Sequence, residues 1–96
     1  MKPFHLTIST PNGHLFSGDC VKLDVRGVEG ALAVMAGHIP FVTSVVKGEC
    51  SVLLEDGTDL EGAVDGGILS VAPDGNVTLI AGSARFLDDS NAEVKW

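Results

Sequence analysis

The chain has 96 residues, 45% of them hydrophobic, which suits one domain around one core and is too short for two. Six basic residues stand against thirteen acidic ones, a net charge of −7, so attraction to nucleic acid or anionic lipid is a poor basis for function and a large partner would be a protein. No apolar run reaches the ~18 residues of a membrane span and no basic start precedes an apolar stretch, so a cytosolic chain without direct membrane insertion is expected.

In chain order, Phe4 to Ser9 alternates Phe4, Leu6 and Ile8 against His5, Thr7 and Ser9, the period of a half-buried strand. Thr10-Pro11-Asn12-Gly13 is a turn, and His14 to Phe16 returns from it as the second arm of a hairpin. Ser17-Gly18-Asp19 reads as a further turn into a strand from Cys20 to Arg26, with Val21, Leu23 and Val25 inward. That phase points Cys20 outward, whereas Cys50 runs inward with Val52 and Leu54. Opposite placement argues against a disulfide between the two cysteines, and reduced thiols suit the cytosol.

The stretch Val28 to Pro40 is the least regular. Gly27 to Gly30 reverses the chain, Ala31 to Met35 is a short strand, and Ala36-Gly37-His38 breaks it ahead of Pro40, which holds Ile39 extended. Phe41 to Val46 is a β-branched strand. Glu49 to Leu54 and Thr58 to Asp65 form a second hairpin across Glu55-Asp56-Gly57. Gly66-Gly67 marks a close backbone approach, and a third hairpin joins Ile68 to Val71 with Val77 to Ile80. Short strands with turns roughly every 5 to 10 residues, and no helical period before Arg85, predict a two-sheet sandwich or flattened barrel. The tail differs: Ser90 followed by Glu93 is a capping-box pattern, the start of a helix.

Candidate chemistry is sparse. His5, His14 and His38 have no cysteine or carboxylate at metal-ligand spacing. No glycine-serine-glycine elbow is present, and Gly27 to Gly30 is not followed by the Lys-Ser/Thr of a phosphate loop. Asp56, Asp59, Asp65 and Asp74 fall in turns or at outward positions, where an ordinary carboxylate is a poor general acid. Catalysis is therefore the weak hypothesis, and no metal or cofactor is expected.

Taken in order, Phe4-His5-Leu6, Phe16-Ser17-Gly18, Glu29-Gly30, Gly37-His38-Ile39-Pro40, Lys47-Gly48 and Gly66-Gly67-Ile68-Leu69 with Val71 resemble the N-terminal domain of the F-type ATP synthase epsilon subunit, the delta subunit in mitochondrial naming. The resemblance implies an all-β fold, a ten-stranded β-sandwich of two mainly antiparallel sheets over residues 1–87. Residues 88–96 would be a tail or helix stub, without the C-terminal helical hairpin usual in the family. It implies a non-catalytic rotor subunit without cofactor, peripheral to the cytoplasmic face of the membrane. Its partners would be the gamma subunit, the c-subunit ring and, indirectly, the F1 alpha/beta assembly.

By family position, Glu29, Gly30, Ala31 and Leu32 would meet the c ring, and Met35, Gly37, His38, Ile39 and Pro40 the gamma subunit. Three departures stand in the same stretch: Ala31 where a second acid is common, Ala33 where glycine is common, and Ala36 where proline is familiar. With the missing hairpin they motivate an alternative, a free-standing β-sandwich interaction module of this ancestry that is not bound to a stalk.

Overall fold

Turn chemistry cuts the chain into ten strands in the computed structural model, which describes residues 2–87. They are β1 (Phe4–Thr10), β2 (Gly13–Cys20), β3 (Lys22–Gly27), β4 (Gly30–Val34), β5 (Phe41–Val45), β6 (Gly48–Leu53), β7 (Asp59–Val64), β8 (Gly67–Val71), β9 (Val77–Ala81) and β10 (Ala84–Leu87). Three of the turns work as their sequences predict. The Thr10 hydroxyl receives the Asn12 amide at 3.2 Å, the Asp56 carboxylate receives the Thr58 amide at 2.9 Å, and the Asp74 carboxylate receives the Asn76 amide at 3.0 Å. The helix-start pattern at Ser90 lies outside the described residues.

The strands form two five-stranded halves, β10-β7-β6-β3-β4 and β5-β8-β9-β1-β2, joined where Gly27 of β3 pairs with Val45 of β5. Every pairing is antiparallel except β1 with β9, which lie parallel and bring the start of the chain beside its last third. Inward residues of both halves make one core, with Leu6, Leu23, Val34, Val52, Leu69 and Leu79 wholly buried. No charged or polar residue is buried in it among the described residues. Burial of these side chains, at roughly 1.5–3 kcal/mol each, is the main force holding the halves together.

The Gly66-Gly67 break and Gly62 let backbones meet closely. A β-carbon on Gly67 would lie 1.9 Å from the Ile80 carbonyl oxygen. One on Gly62 would lie 2.2 Å from the Arg85 carbonyl oxygen and 2.6 Å from the Phe86 ring. Neither distance is possible for a real side chain, so glycine at both positions sets how β8 meets β9 and how β7 meets β10.

Two local expectations need correction. Ser17-Gly18-Asp19 is not a turn: its residues pair with Thr7, Leu6 and His5 inside β2, because the β1–β2 register, shifted by one irregularity between Ile8 and Ser9, carries on to Phe4 and Cys20. The break falls at Val21 instead. Cys20 therefore keeps the inward phase of β2 while Val21 opens the inward phase of β3, and both are buried, at 0% and 6% exposure. Cys20 and Cys50 are both free thiols. Removal from water pushes each up to about 11, with Asp19 adding to the effect at Cys20 and a backbone hydrogen bond at Lys22 opposing it.

Candidate functional site

β3 and β4 form a hairpin closed by Gly27 opposite Gly30, with Val28 and Glu29 as its two-residue tip. Gly30 has φ +121°, a conformation open to glycine and strained for other residues, and nothing lies within 4 Å of where its side chain would be. Glu29, Gly30 and Ala31 are exposed and Leu32 is half-buried against the core. The four residues expected at the ring thus sit together at one end of β4.

The five residues expected at gamma lie at the other end. β4 spans five residues, so about 15 Å of strand separates the hairpin tip from the loop Met35 to Pro40. The loop is tied by the His38 amide, which donates to the Met35 carbonyl at 3.3 Å, and by Gly37 at φ +87°. The His38 ring stacks at a tilt on Phe41, with centroids 4.8 Å apart, and its Nδ1 donates to the Ile39 carbonyl at 3.2 Å. A carbonyl only accepts, so Nδ1 is the donor in this contact. Ile39 is 73% exposed and Met35 46%, so the loop presents apolar side chains to solvent. Beside it runs a cleft lined by Phe4, His5, Asp19, Met35, His38 and Val77, among others.

Sequence reading missed the surface next to this loop. Across the outer face of the second half, one register row runs Val42, Ser70, Thr78, Thr7 and Ser17, and the next runs Ser44, Ile68, Ile80, Ser9 and His14. Neither row contains an acid, a lysine or an arginine. Val42, Ile68 and Ile80 are 69%, 51% and 57% exposed. The outer face of the other half carries the charge: Lys22, Asp24, Arg26, Glu49, Asp59, Glu61 and Arg85 all lie on it. The signal was available in the strand alternation, since Val42, Ile68 and Ile80 hold outward positions opposite in phase to Val45, Leu69 and Leu79.

The register also brings His5 of β1 against Ser17 and Asp19 of β2, twelve and fourteen positions later in the chain. His5 Nδ1 lies 3.5 Å from Asp19 Oδ1, and its Nε2 lies 3.4 Å from the Ser17 hydroxyl. The order is that of a hydrolytic triad, but the His5 and Asp19 side chains are 43% and 59% exposed and the bonds are long. Water competes for every member, so the trio is a cross-strand surface ladder rather than an activated nucleophile. Among the described residues no three or more His, Cys, Asp or Glu side chains are grouped to hold a metal ion.

Comparison with known proteins agrees with this architecture. A family profile described as "ATP synthase, Delta/Epsilon chain, beta-sandwich domain" matches residues 3–86. The ATP synthase epsilon chain of Halalkalibacterium halodurans is 35% identical over 94 residues, covering 97% of this chain and 68% of its own length. Among solved structures, a chain of the Euglena gracilis mitochondrial ATP synthase, in a structure of OSCP, F1 and the c-ring, superposes with a TM-score of 0.84 at 24% identity, over 91% of this chain and 55% of that one. A chain from the central stalk and c-ring of the Tetrahymena thermophila mitochondrial ATP synthase gives 0.70 at 11% identity, over 83% of this chain and 63% of that one. The chain therefore spans little more than half of the first solved chain and under two thirds of the second.

Proposed function

Because this chain belongs to the family of ATP synthase delta and epsilon chain β-sandwich domains, we propose that it is a non-catalytic central-stalk subunit of an F-type ATP synthase, gripping the gamma subunit and the c ring. Its contribution is mechanical. By joining ring to stalk it couples ion translocation to ATP synthesis or hydrolysis, and it turns with them as one body. It lies peripherally at the cytoplasmic face of the membrane and reaches the alpha/beta assembly only through gamma. Residues 1–87 are the gripping domain.

The observation that carries this reading is the pair of register rows without acid, lysine or arginine across the outer face of β5, β8, β9 and β1, on a chain of net charge −7. The cores of protein interfaces are depleted in charge, because a buried ion loses hydration that a partner seldom restores. Val42 opens this face two residues after Pro40, so it extends the Met35, Gly37, His38, Ile39 and Pro40 loop into one gamma-facing surface. Glu29, Gly30, Ala31 and Leu32, at the opposite end of β4, are free to meet the ring at the same time. Loss of a second acid at Ala31 leaves Glu29 as the carboxylate of that contact.

The test is to mix the chain with its cognate gamma subunit and look for a 1:1 complex by size exclusion and calorimetry. Ile68→Asp and Ile80→Asp should each weaken the complex more than tenfold, because each sets a carboxylate inside an apolar contact. Glu61→Lys, on the charged face, should leave it intact. No binding of the unaltered chain at tens of micromolar would overturn the stalk reading and favour the free-standing module.

A further inference from the structure

The β1–β2 turn carries a reactive group that the partner-facing surfaces leave unused. Four times in the chain an asparagine or aspartate precedes glycine: Asn12-Gly13, Asp56-Gly57, Asp65-Gly66 and Asp74-Gly75. The three aspartates are tied. Asp56 receives the Thr58 amide at 2.9 Å, Asp65 the Ser83 amide at 2.8 Å and Asp74 the Asn76 amide at 3.0 Å. A carboxylate, charged at neutral pH, also resists attack by a nucleophile. Asn12 differs on both counts. Its exposed side chain is an uncharged amide, and that amide has no hydrogen-bond partner among the described residues. Gly13 beside it has φ +122°, and no atom lies within 4 Å of where a β-carbon on it would stand, so the peptide between them has open space on that side.

We propose that Asn12 is a modification site, at which the chain deamidates itself through Gly13. The Gly13 nitrogen gives its proton to solvent hydroxide and bonds to Asn12 Cγ, while the Cγ–Nδ2 bond breaks and the amide group leaves as ammonia. Water then opens the five-membered imide. Opening at Cγ leaves an aspartate; opening at the other carbonyl leaves an isoaspartate, in which the main chain runs through Cγ. Overall one amide and one water become one carboxylate and one ammonium, with no change of oxidation state. Either product puts a negative charge two residues before His14, at the end of the row Ser44, Ile68, Ile80, Ser9 and His14, which has no acid of its own. Isoaspartate also lengthens the main chain at the closing pair Thr10–Gly13, and so disturbs the bond from the Thr10 hydroxyl to the Gly13 carbonyl.

The folded chain is incubated near pH 6 and near pH 8 and digested with trypsin, and the peptides ending at Lys22 and at Arg85 are followed by mass spectrometry. Asn12 is the one amide side chain in the first and Asn76 in the second, so each peptide reports a single site. The Lys22 peptide should gain one mass unit more than about tenfold faster than the Arg85 peptide, since Asn76 donates to Asp74 at 3.4 Å and precedes the buried, β-branched Val77. The rate should rise with pH, and isoaspartyl methyltransferase should label the aged parent but not Asn12→Ser. Equal rates in the two peptides, conversion confined to the urea-unfolded chain, or label undiminished in Asn12→Ser would overturn the proposal.

Discussion

The ring of Phe16 in β2 meets the ring of Phe86 in β10 edge to face, with centroids 6.3 Å apart and planes at 89°. These strands are the outermost members of the two halves, so the contact closes the side of the sandwich opposite the Gly27–Val45 pairing. A T-shaped pair sets the positive edge of one ring on the negative face of the other and adds about 0.5–1.5 kcal/mol to plain burial. Phe86 is 3% exposed, so its truncation removes core volume as well. Phe86→Ala should cost about 3–5 kcal/mol and Phe16→Leu about 1 kcal/mol. A double-mutant cycle by urea denaturation should return a coupling near 1 kcal/mol, and a coupling near zero would show that the rings merely adjoin.

Gly67 and Gly18 make a matched pair of substitutions. Alanine at Gly67 would put its β-carbon 1.9 Å from the Ile80 carbonyl oxygen and 2.9 Å from the Ala81 α-carbon, both backbone atoms that move only by parting β8 from β9. The expected loss is about 3 kcal/mol, a fall of more than ~12 °C in melting temperature. At Gly18 the nearest atom is in the Phe16 ring at 3.6 Å, an ordinary contact, and Gly18→Ala should stay within about 1 kcal/mol of the parent. Equal melting temperatures would mean that the sheet relaxes around Gly67.

The two buried thiols predict an alkaline loss of stability. An unperturbed cysteine titrates at about 9.0, and both folded thiols are pushed up to about 11, chiefly by burial. Below pH 9 both states hold the protons and stability is full. Between about 9 and 11 the unfolded chain releases protons that the folded one retains, so stability falls with rising pH. Urea midpoints at pH 8 and pH 10.5 should differ less in a Cys20→Ala/Cys50→Ala variant than in the parent. Iodoacetamide at pH 8 should label neither thiol until the chain unfolds.

His38→Ala removes the stack on Phe41 and the bond to the Ile39 carbonyl, both on an exposed loop. Melting should drop by less than about 5 °C. Gamma affinity measured by calorimetry should fall about tenfold, because Ile39 loses the support that holds it outward. A melting loss with unchanged affinity would make His38 purely structural.

Turns and alternation were legible in the sequence because both are local. Thr10 to Gly13, Asp56 and Asp74 carry their own hydrogen-bonding instructions, and the inward set from Leu6 to Leu79 follows from a period of two residues. Cys20 failed because phase alone does not say which strand a junction residue continues. Its place was decided by pairing with Phe4, sixteen positions earlier in the chain. The tip and the His38 loop were located in sequence through family resemblance, yet their separation at opposite ends of β4 is a matter of strand length and register.

The sequence by itself determined that this is an all-β domain, and through its motifs the family to which it belongs. Only the tertiary structure decided that Val42, Ile68 and Ile80 fall in two adjacent rows without acid, lysine or arginine, that Ser17, His5 and Asp19 meet, and that Phe16 closes on Phe86. Each depends on which strands lie side by side, and the parallel pairing of β1 with β9 comes from burying one common core rather than from any neighbour in the chain.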